Sequence, residues 1–71
     1  MTILSIKEQR GVFYSEVECL NGCNIVSGSS PYNAFINWKI INKGWHPTKI
    51  KLTFLPDSPI LPISEFVEQH Q

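Results

Sequence analysis

The chain has no surplus of charge: six Lys and Arg stand against six Asp and Glu in 71 residues. A neutral chain has no long-range field of the kind that recruits nucleic acid or other polyanions. It also favours self-association near neutral pH. No apolar run approaches the roughly 20 residues needed to cross a membrane. The opening MTILSIKEQR is too short in apolar run, and charged too early, for a secretory signal. These two features predict a cytoplasmic, non-membrane protein. Cysteine is scarce, with only Cys19 and Cys23, and two thiols without a secretory signal read as reduced groups rather than a disulfide framework. No Asn-x-Ser/Thr acceptor occurs. At this length there is room for one core and none for a two-domain enzyme with an interdomain cleft.

The common catalytic signatures are missing too. There is no Gly-x-Ser-x-Gly elbow and no Gly-rich phosphate cradle. The transition-metal ligands are Cys19, Cys23, His46 and His70, but the histidines lie too far apart for a structural zinc site built on one helical turn. Cys-x₃-Cys is also not the Cys-x-x-Cys of redox enzymes. No metal, cofactor, small-molecule substrate or catalytic residue is therefore expected, and the chain reads as a non-enzyme.

What is present is enough apolar and aromatic material to fold: 42% hydrophobic residues, including two Trp, four Phe and two Tyr. Residues 2–9 and 12–19 alternate as half-buried strands joined by Arg10-Gly11, a two-residue hairpin connection. That turn sets Gln9 opposite Val12 and Ile6 opposite Ser15. A second hairpin around LNGC, with Gly22 in the left-handed position, would set Cys19 opposite Cys23, Val17 opposite Ile25 and Ser15 opposite Ser27. This register puts Ile25 inside and Val26 outside.

Ser30-Pro31 is a helix start, a capping hydroxyl followed by proline at the first helical position. The helix is predicted from 31 to about 43, with Gly44 as its exit and Pro47 barring continuation. Ala34, Trp38, Ile41 and Trp45, with Phe35 beside them, form the inward stripe. KIKLTFL at 49–55 alternates as a strand, inward at Ile50, Leu52 and Phe54. The three prolines of residues 56–62 favour an extended path, and a short helical turn from Ser64 can follow. The expectation is a small α+β fold of order βββαβ: a mostly antiparallel four-stranded sheet, one helix on one face, a domain over residues 1–55 and a Pro-rich tail over 56–71.

Two surface features point toward function. On this phasing Tyr32, Ile36 and Ile40 fall on the outer helix face, and Ile3, Val12, Tyr14 and Val26 on the outer sheet face. That is more apolar surface than scattered exposure requires. Hence the main expectation is a small interaction or regulatory domain that binds a protein partner or a second copy through Tyr32, Ile36, Ile40, Tyr14 and Val26. The alternative is nucleic-acid binding through residues 38–51. There Lys39, Lys43, His46, Lys49 and Lys51 alternate with two tryptophans and no acid, a pattern suited to phosphate contact and base stacking.

Overall fold

The structure, a computed structural model, describes residues 3–17, 25–44 and 46–71. Its elements are β1 (Ile3–Gln9), β2 (Val12–Glu16), β3 (Val26–Gly28), α1 (Pro31–Ile41), β4 (Lys49–Leu52), β5 (Ile60–Pro62) and α2 (Ile63–His70). The strands form one mixed five-stranded sheet in the order β3-β2-β1-β4-β5. β1 runs parallel to β4, and the other neighbours are antiparallel. The α+β class agrees with the sequence reading. The four-stranded sheet, single helix and trailing tail are corrected to five strands and two helices among the described residues.

The first hairpin follows from its turn. Arg10 and Gly11 have φ of 55° and 81°, the two positive values that a type I′ connection requires and that match the twist of the strands. β1 and β2 then pair Gln9 with Val12 and Ile6 with Ser15, as expected. One sheet face carries Leu4, Ile6, Ile50 and Leu52, which together with Phe35, Trp38 and Phe66 make the buried core. Phe13 and Phe54 close one end of it edge to face, with ring centroids 5.3 Å apart.

The β2–β3 register differs from the expectation by one residue. Ser15 faces Val26, not Ser27, so Val26 is buried in the core and Ile25 is exposed. The sequence could not separate these registers by hydrophobicity, because Ile25 and Val26 are adjacent and β-branched, and either satisfies an inward position. Helix packing decides between them. Val26 and Gly28 share the inward face, and a Cβ at Gly28 would overlap the backbone N of Ala34 and lie 2.6 Å from its Cα. Only the glycine lets α1 come this close. The expected Cys19–Cys23 pairing and the position of Trp45 lie outside the described residues.

At the same seam the buried Ser15 hydroxyl lies 2.9 Å from the Ala34 carbonyl and 3.2 Å from that of Val26. One side chain thereby ties β2, β3 and α1 together, and its own polarity is satisfied. α1 opens on the expected cap: Ser30 Oγ accepts from the Asn33 N–H at 3.0 Å, and Pro31 follows it. Gly44 has φ 94°, in keeping with the predicted exit.

The Pro-rich segment is built into the fold. Ile60–Pro62 pairs with β4, and the Pro59 carbonyl accepts from Leu52 N–H at 2.9 Å. Proline lacks a donor, but its carbonyl still serves an edge strand. α2 then lies on the same side of the sheet as α1 and buries Phe66 completely, 5.4 Å from the Phe35 ring. No helix among the described residues covers the opposite sheet face. Among the described residues no helix is long and apolar enough to cross a membrane.

Candidate interaction groove

α1 follows β3 through the two-residue link Ser29-Ser30 and doubles back along it. The two elements are pinched together where Ala34 meets Gly28. One turn further on, Asn37 Nδ2 donates to the Ser27 carbonyl at 3.1 Å and to Asn33 Oδ1 at 3.2 Å. Beyond that bridge the last turn of α1 stands away from the start of β3. The space between them is an open groove of about 370 Å³ lined by Ile25, Val26, Ser27, Asn37, Ile40 and Ile41.

Three of these residues are large apolar side chains left in water: Ile25 is 55% exposed, and Ile40 and Ile41 are each 59% exposed. Apolar surface of this kind gains about 25 cal/mol for every Å² later covered. The polar groups of the groove are largely engaged, since the Asn37 amide is committed to Ser27 and Asn33. Among the described residues that line it, none is ionisable and Ser27 supplies the hydroxyl. This chemistry favours apolar contact over proton transfer.

The structure brings together two of the five residues expected to meet a partner, Ile40 and Val26, though Val26 contributes as a core residue rather than through an outer sheet face. Tyr32 and Ile36 do not form an outer strip with Ile40. They are half-buried and pack against the core. Tyr14 is half-buried and stands on the helix-free face of the sheet, the side opposite its neighbour Ser15. Ile41, expected on the inward stripe, is exposed because that stripe continues past the point where α1 touches the sheet. Sequence reasoning therefore missed Ile25 and Ile41. The usable signal was Gly28 just before a helix cap, which marks a close crossing and fixes the parity of β3.

The basic segment is also divided. Lys39 is on α1, with its Nζ 5.5 Å from the Phe35 ring centroid, and Lys43 lies beyond the helix end and is exposed. Lys49 and Lys51 alternate with the fully buried Ile50, so they project from the other side of the sheet. His46 is exposed in the connection before β4. Residues 38–51 thus present two separate basic surfaces. No protein-family model matches the chain, and no curated protein or solved structure matches it.

Proposed function

We propose that this protein is a small, non-catalytic interaction domain that uses the β3–α1 groove to hold an apolar segment of a protein partner or of a second copy. The observation that carries this reading is the convergence of Ile25, Ile40 and Ile41, all more than half exposed, around one concavity. Interfaces concentrate their binding energy in such apolar centres rather than in scattered surface contacts. The neutral charge of the chain supports close approach between copies.

The test is the double substitution Ile40→Asp with Ile41→Asp. Both side chains are exposed, so the far-ultraviolet circular dichroism and melting temperature should stay near those of the parent. The expected change is in association: the concentration-dependent rise in mass seen by sedimentation, or the capture of a partner through a photocrosslinker at position 25, is lost. If the folded variant associates as the parent does in both assays, the groove is not the interface.

A further inference from the structure

The helix-free face of the sheet has a chemistry of its own, and it does not depend on the groove. Register places Lys7 directly beside Tyr14 on the neighbouring strand, with Lys51 beside Ser5 and Lys49 beside Ile3. Lysines two residues apart on a strand, or diagonal across two strands, are spaced at about 7 Å. Glu16 is the one acid on this face among the described residues. It pairs with Lys7 at 3.7 Å, with both side chains more than a third exposed, a contact of little strength in water. Among the described residues three cations therefore stand against one anion on this face, although the whole chain is neutral. The balance is restored elsewhere: residues 52–71 contain Asp57, Glu65 and Glu68 and no Lys or Arg.

From this arrangement we propose that the open sheet face binds single-stranded nucleic acid, with Lys7, Lys49 and Lys51 meeting phosphates and Tyr14 stacking on a base. A basic sheet face with an aromatic ring at its β2 side, beside Lys7, supplies both parts of sequence-tolerant single-strand binding. An acidic peptide is the other polyanion to weigh, and it fits less well. Peptides add to sheets by pairing with an edge strand, and both edges are blunted. At β3 the Ser27 carbonyl is taken by Asn37, and β5 is bracketed by Pro59 and Pro62, which offer no N–H. A nucleic acid strand requires no backbone ladder, only charge and a π face.

The experiment is fluorescence anisotropy with a labelled 12-mer of thymidylate, titrated with the full chain at several salt concentrations. Three phosphate contacts predict a log–log salt slope of about −2, hence a loss on the order of twentyfold between 50 and 200 mM salt. Lys49→Gln with Lys51→Gln should weaken binding at least tenfold. Lys39→Gln with Lys43→Gln removes the same charge from the other surface and should change it less than threefold. Tyr14→Leu should lose at least fivefold while Tyr14→Phe retains binding, each variant being confirmed as folded by circular dichroism. The proposal is overturned if no binding occurs at 20 mM salt, or if the two lysine pairs have equal effects. It is also overturned if an oligoglutamate of equal charge competes as well as the oligonucleotide, which would assign the face to acidic peptides.

Discussion

The two ends of the helical layer solve the same packing problem in opposite ways. Over β4 and β5, α2 arrives with a bulky aromatic, and Phe66 is driven to zero exposure against Phe35. Over β2 and β3, α1 approaches through the small residues Gly28, Ser15 and Ala34 and then diverges. Phe66, flanked by the partly buried Ile63 and Val67, fills the first end. Small residues, with the Asn37–Ser27 bridge one turn further on, hold the second and leave three isoleucines in water beyond it. An edge closed by volume is core, whereas an edge held by small residues and one polar bridge leaves apolar surface exposed.

This contrast can be broken by substitution. Phe66→Ala should have the largest effect, about 3–5 kcal/mol, because it removes a buried ring and leaves a cavity between the helices. Chemical denaturation measures it, and a loss below about 1 kcal/mol would mean that α2 adds nothing to the core. Gly28→Ala should cost about 1–3 kcal/mol, since the new methyl meets helix backbone that cannot rotate away. If it were neutral, the pinch point would not be the contact that positions α1. Ile41→Ser should change stability by less than about 0.5 kcal/mol, as befits an exposed side chain. A larger loss would place Ile41 in the core and close the groove.

How much of this was legible depends on how local each feature is. The β1–β2 hairpin could be read because a two-residue turn and two alternating runs fix each other's register. The Ser30 cap and Pro31 start of α1 could be read because capping is chemistry among consecutive residues. The β2–β3 register could not, because Ile25-Val26 fits either parity and the residue that decides, Gly28, acts through Ala34 on another element. β5 was hidden by prolines that forbid a central strand but permit an edge. The candidate groove was half visible: Ile40 was expected at the surface, while Ile25 and Ile41 were assigned inward on periodicity alone. The segment 38–51 looked like one basic patch because neighbours in sequence were treated as neighbours in space, and strand alternation sends Lys49 and Lys51 away from Lys39.

Local chemistry and composition were enough for the class of fold, the first hairpin, the helix start and the neutral charge, since each rests on interactions within a few residues or on residue counts. Long-range packing fixed which of Ile25 and Val26 is buried, that residues 60–70 complete the sheet and core, and that the lysines lie on two surfaces. The first outcome depends on how closely α1 can approach β3, a distance set by the absence of a side chain at Gly28; the others depend on the pairing of β5 with β4 and on strand alternation about the buried Ile50.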